Sequence, residues 1–112
     1  MRHVAEKNHP LSQPVFLILT SLAHEPRHGY ALIQDIETLS GGQVRLSTGT
    51  LYGALGRLLK ARWIERFDTD DTSRDKQTYR LTPLGRDRLA GDLDRLKALT
   101  RVAAARLRAK EA

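Results

Sequence analysis

Apolar residues recur along this chain in different rhythms, and each rhythm predicts an element. From Val15 to Leu19 nearly every position is apolar, which predicts a helix buried on more than one side and touching a second subunit. Ser12 can cap it, Pro14 is tolerated in its first turn, and PVFLILTSLAHE carries it to Pro26, which stops it. Gly29 and Tyr30 open a second helix with Leu32, Ile33, Ile36 and Leu39 on one face, and Gly41 and Gly42 end it as C-terminal caps. Val44, Arg45 and Leu46 form a brief connector. Ser47 then caps a third helix, STGTLYGALGRLLK, whose Leu51, Leu55, Leu58 and Leu59 fall at three- and four-residue steps on a single face.

After Lys60 the period shortens. WIERF at Trp63 to Phe67 and KQTYRL at Lys76 to Leu81 are short and rich in aromatic and β-branched residues. Between them DTDDTSRD is turn formers and charge, so the pair predicts a hairpin with a long tip. Thr82 and Pro83 supply the N-cap and first-turn proline of a long helix running to about Lys110. Along it Leu89, Leu93, Leu96, Thr100, Ala103 and Leu107 are spaced four, three, four, three and four, a heptad seam that needs a partner helix. Leu84, Leu99 and Val102 widen the stripe, so this helix is expected to pack on the first helix as well as on a dimer mate. Phe16, in the apolar run of the first helix, joins the six seam residues as the expected dimer interface.

The expected fold class is mainly α: a winged helix-turn-helix with a two-stranded β-wing and a long C-terminal dimerisation helix. Residues 1–10, polar and unpatterned, form a flexible tail; 11–82 form the DNA-binding domain; 83–112 form the dimerisation helix.

Composition sharpens this. A chain of 112 residues buries one small core with little surplus surface, which favours oligomerisation. Nineteen Lys and Arg against thirteen Asp and Glu leave a net charge of +6, which favours nucleic acid or an anionic membrane as partner. No apolar run approaches the roughly 20 residues that span a bilayer. MRHVAEKNHP has no apolar export core, so no membrane partner and a cytoplasmic location are expected. The absence of cysteine removes disulfides, thiolate metal sites and a cysteine nucleophile together. An aromatic content of 5% argues against the base-stacking surface of single-strand binders, leaving double-stranded DNA.

The open face of the third helix carries Thr48, Gly49, Tyr52, Gly53, Gly56, Arg57 and Lys60 and no carboxylate. Its first amides and its dipole favour a phosphate, the hydroxyls of Ser47, Thr48 and Thr50 can donate to phosphate oxygens, and Gly49 permits close backbone approach. Tyr52, one turn on, can reach a phosphate or a thymine methyl. With neither Asn nor Gln on this face, phosphate contact and groove shape count at least as much as hydrogen bonds to bases. Arg74 and Lys76 on the hairpin's far arm add wing cations. The simplest competing reading, a solvated helix whose open side happens to be basic, is weakened by the hairpin and seam that follow.

Other chemistry finds no constellation. His24 and His28 are four apart, but Pro26 between them breaks the helix that would align them, so no metal site is expected. His28, beside Gly29 and Tyr30, is expected to cap or brace the second helix on the DNA-facing side. Asp68, Asp70, Asp71 and Asp75 at the hairpin tip read as a solvated loop rather than a cation site. Ser47 has no histidine partner, and no glycine-rich phosphate loop with a lysine occurs, so neither an enzyme nor a cofactor is expected. Trp63, the single tryptophan, is expected to fill the core and fix the wing's angle, with Tyr79 and Phe67 packing against it across the hairpin. Stacking of a ligand is the alternative role.

HGYALI at His28 to Ile33, STGTLYGAL at Ser47 to Leu55, RLLKARWIER after it, a charged hairpin and TYRLTPLGR at Thr78 to Arg86 together resemble the PadR family of bacterial transcriptional regulators, over about residues 11 to 90. The last helix is similar to that of the short-chain branch, in which a single C-terminal helix completes the dimer. The resemblance implies a dimeric repressor on an operator with two-fold symmetry. It places Tyr30, Thr48, Gly49, Thr50 and Tyr52 where the family contacts the DNA backbone, and Arg74 and Lys76 where its wing is basic. Two positions depart: Thr48 stands where proline is common, and Trp63 where a small or aliphatic residue is common. Some relatives bind flat aromatic compounds with a tryptophan on the last helix, which this helix lacks. The rival readings are a protein-interaction module that has lost DNA binding, and a sensor in which a small-molecule effector releases the DNA.

Overall fold

The structure is a computed structural model that describes residues 9–67 and 77–111. Helix α1 spans Gln13–His24; the Ser12 hydroxyl caps it by accepting from the Val15 amide at 3.3 Å, and Pro14 sits in its first turn. A two-residue strand, β1 (Arg27–His28), precedes helix α2 (Gly29–Leu39). Helix α2 ends as expected: Gly41 and Gly42 take φ of +64° and +83°, and the Gly42 amide donates to the Glu37 carbonyl at 2.8 Å. His28 occupies the N-cap position of α2, but its side chain is exposed and makes no capping hydrogen bond, so the expected side-chain cap is not formed.

Helix α3 (Thr48–Ala61) begins at Ser47, whose Oγ accepts from the Thr50 amide at 3.1 Å. It ends at Arg62, a non-glycine residue in the left-handed region with φ 66°. That conformation costs on the order of 1–3 kcal/mol and persists where surroundings hold it. Here the Thr82 hydroxyl donates to the Arg62 carbonyl at 2.7 Å, and the Thr82 amide donates to the Trp63 carbonyl at 3.0 Å.

Strands β2 (Ile64–Phe67) and β3 (Thr78–Leu81) pair antiparallel, and β1 adds to the other side of β3, giving the order β1-β3-β2. The two-stranded wing therefore gains a third strand, too short to carry a period of its own. In register Arg66 faces Tyr79 and Phe67 faces Thr78. Alternation puts Tyr79 and Phe67 on opposite sides of the sheet, so the expected packing of both against Trp63 does not form. Tyr79 is buried in the core, whereas Phe67 is exposed and lies under the Arg80 guanidinium, 5.0 Å from its ring centre. The hairpin tip with its aspartates, and Arg74 and Lys76, lie outside the described residues.

The core joins Ile18, Leu19 and Leu22 of α1, Leu32 and Ile36 of α2, Leu51, Ala54, Leu55 and Leu58 of α3, Ile64 of β2 and Tyr79 of β3. Each leucine or isoleucine among them contributes about 1.5–3 kcal/mol on burial. Helix α4 (Pro83–Glu111) is 29 residues long and is capped by Thr82, whose Oγ1 accepts from the Gly85 amide at 3.0 Å. Only its first part meets that core, and the molecule measures 60 × 37 × 22 Å.

Candidate nucleic-acid interface

Helix α3 separates its faces as its periodicity requires. Leu51, Ala54, Leu55 and Leu58 are buried, while Thr48, Gly49, Thr50, Gly53, Gly56, Arg57 and Lys60 are exposed. At its start the Ser47 hydroxyl donates to Thr50 Oγ1 at 3.0 Å, so Ser47 is committed to the cap and the Thr50 proton is left to point outward. Thr48 and Gly49 are exposed beside this cap, at the positive end of the helix dipole. A Cβ built on Gly53 would lie 3.8 Å from an Arg57 guanidinium nitrogen, which places that cation back along the open face.

Tyr52 is placed between the helices as well as beside the open face. It is half-buried, and its ring lies against Gly29: a Cβ there would sit 2.9 Å from Tyr52 Cζ and overlap the phenol oxygen. It thus packs where α2 begins beside the second turn of α3, and it also lines the cleft facing the wing. Tyr30, the next residue along, is 66% exposed and stands clear of the surface, with the exposed His28 two residues before it.

Charge at the interface is set by which cations are neutralised. Arg27 reaches Glu25 at 3.4 Å and Asp35 at 3.5 Å, Arg45 pairs with Glu37 at 3.0 Å, and Arg80 pairs with Glu65 at 2.7 Å. Arg57, Lys60 and Arg66 have no such partner among the described residues. Between α3 and the wing lies a cleft of about 330 Å³ lined by Tyr52, Leu55, Gly56, Leu59, Arg66, Gln77 and Tyr79. Arg66 was not foreseen; its place on the inner side of a strand next to a glycine-bearing helix turn is visible only once the register is known.

The seam residues divide. Leu89 is half-buried against the chain's own core, Leu96 is half-buried, and Leu93, Thr100, Ala103 and Leu107 are exposed, Leu107 to 68%. Leu99 and Val102 are exposed beside them, and Phe16 on α1 is half-buried. Two buried polar groups escaped notice in the sequence because nothing local marks them. Asp92, 2% exposed, accepts from Arg95 Nε at 2.9 Å and from the Leu11 amide at 3.4 Å, tying the start of the domain to α4. Ser21 donates to Asp35 at 2.5 Å, locking α1 to α2.

Among the described residues no group of three His, Cys, Asp or Glu is placed to hold a metal, and no helix is long and apolar enough to cross a membrane. Three short helices on one core, the third open and basic, followed by a small antiparallel wing, define a winged helix-turn-helix, a DNA-binding architecture.

The particular kind follows from comparison. Residues 18–91 match the model of the Transcriptional regulator PadR-like family, and the chain belongs to that family of DNA-binding transcriptional regulators. A PadR family transcription regulator from Clostridium difficile R20291 shares the fold with a TM-score of 0.71 at 22% identity, covering 86% of this chain and 99% of that one. A transcriptional regulator from Clostridium thermocellum gives 0.69 at 23%, covering 81% and 89%. RosR of H. salinarum gives 0.62 at 26%, covering 88% and 96%. In sequence, an uncharacterized 37.1 kDa protein of transposon TN4556 from Streptomyces fradiae is 41% identical over 73 residues. That match takes in 65% of this chain and only 20% of the longer protein.

Proposed function

We propose that this protein is a repressor that binds an operator of two-fold symmetry as a homodimer. The observation that carries the reading is the acid-free, exposed side of α3, with Thr48, Gly49, Thr50, Arg57 and Lys60 open to solvent beside the wing. The apolar residues left exposed along α4 support pairing with a second copy. Two α3 helices so joined would enter successive major grooves about 34 Å apart. Arg74 and Lys76 are assigned to phosphates beside the adjoining groove. Release by a small-molecule effector is part of the proposal, and quenching of Trp63 fluorescence by candidate compounds reports on it.

The test is selection of bound genomic fragments by the purified protein, followed by gel shift on the recovered site. A palindrome is expected, with binding that weakens steeply as salt rises because several phosphates are neutralised. Arg57→Ala with Lys76→Ala is expected to abolish the shift. Recovery of no fragment, and salt-independent behaviour with any duplex, would favour a protein-interaction module instead.

A further inference from the structure

We infer that the cleft between α3 and the wing seats one backbone phosphate of DNA, with Arg66 as its cation; the assignment rests on the DNA-binding reading above. Strand alternation sends Arg66 to the same side of the sheet as Ile64, toward α3, and Arg80 to the opposite side. The two arginines then meet different fates. Arg80 is neutralised by Glu65 at 2.7 Å and lies over Phe67. Arg66 lines the cleft and reaches no carboxylate among the described residues, although Arg27, Arg45, Arg80 and Arg95 each do.

A guanidinium left without a counter-charge in a concave site is suited to a phosphate, which it can hold through two parallel N–H donors. The cleft has room for it, about 330 Å³, and its helix wall is open at Gly56, where a Cβ would meet nothing within 4 Å. Its position selects the source of the phosphate. When a recognition helix lies in the major groove and a wing approaches the neighbouring minor groove, the strand dividing the two grooves passes between helix and wing. The walls of this cleft are those two elements, with Tyr52 and Gly56 on the one and Arg66 and Gln77 on the other. Arg66 thus adds to the contacts of the helix start a clamp at the opposite edge of the same strand.

The experiment is anisotropy of a labelled mixed-sequence duplex of about 30 base pairs between about 50 and 200 mM KCl. Relative to the parent, Arg66→Gln is expected to flatten the dependence of log K on log salt by about 1 per subunit, with about tenfold weaker binding at the lowest salt. Gly56→Glu, which places a carboxylate in the open wall, is expected to do at least as much. Arg80→Gln, the same change on the outer side of the sheet, is expected to leave the slope unchanged. Thermal unfolding of each variant confirms that the fold is retained. An unchanged slope in Arg66→Gln while the parent binds would overturn the cleft alone, as would equal effects of Arg66→Gln and Arg80→Gln. Failure of the parent to bind any duplex would overturn the DNA reading and the cleft with it.

Discussion

Gly29 lacks a side chain because Tyr52 occupies the place one would take. The phenol ring of α3 lies over the first residue of α2, so a single methyl at Gly29 forces the ring to move or the helices to part. Overpacking of this kind typically costs about 1–3 kcal/mol. Gly29→Ala is therefore expected to lower stability by about that amount in urea denaturation, and Tyr52→Ala in the same chain is expected to recover part of it. Independent, additive effects of the two changes would show that ring and glycine do not oppose each other. The contact also explains why Tyr52 could not be placed from its spacing alone. Helical periodicity puts it beside Thr48 and Gly49 on the open face, and only the long-range approach of α2 turns it inward. Asp92 was unreadable for a related reason: its partner, the Leu11 amide, lies 81 residues away in the chain.

At the scale of elements, the readable features were those with local chemistry. Ser12, Ser47 and Thr82 each cap the helix that their spacing announced, and Gly41 and Gly42 stop α2. Strand β1 carried no such mark, since two residues bounded by Pro26 and a helix start show neither alternation nor turn. The junction of α3, the wing and α4 is tightly packed. Gly85 packs directly on the Trp63 backbone, with a Cβ falling 2.8 Å from the Trp63 carbonyl carbon, and Arg88 covers the indole ring at 5.3 Å. Backbone cannot swing aside as the end of a side chain can. Gly85→Ala is expected to destabilise by at least about 2 kcal/mol, read as a fall in Tm. Trp63 thus braces the wing through α4, not through the aromatic cluster that the hairpin's composition suggested.

For the molecule as a whole, α4 leaves the core with its apolar side uncovered. Leu93 and Leu96 line a shallow groove with Thr100, and Leu99, Val102 and Leu107 extend the exposed stripe. Leu93→Glu with Leu96→Glu is expected to convert a dimer to monomers in sedimentation while leaving the winged-helix core folded, and an unchanged dimer would refute the seam. The fixed junction at Gly85 gives that pairing a mechanical meaning. Because Gly85 of α4 packs backbone on backbone against Trp63, two residues past the end of α3, α4 is a lever that pivots where α3 hands over to the wing. From Gly85 to its end α4 runs about 39 Å, so a tilt of about 5° at the junction displaces its far end by about 3.4 Å. That matches one base-pair step of about 3.4 Å. In the proposed dimer, a change of a few degrees in how the two copies cross would be enough to put one reading head out of phase with the DNA while the other stays seated.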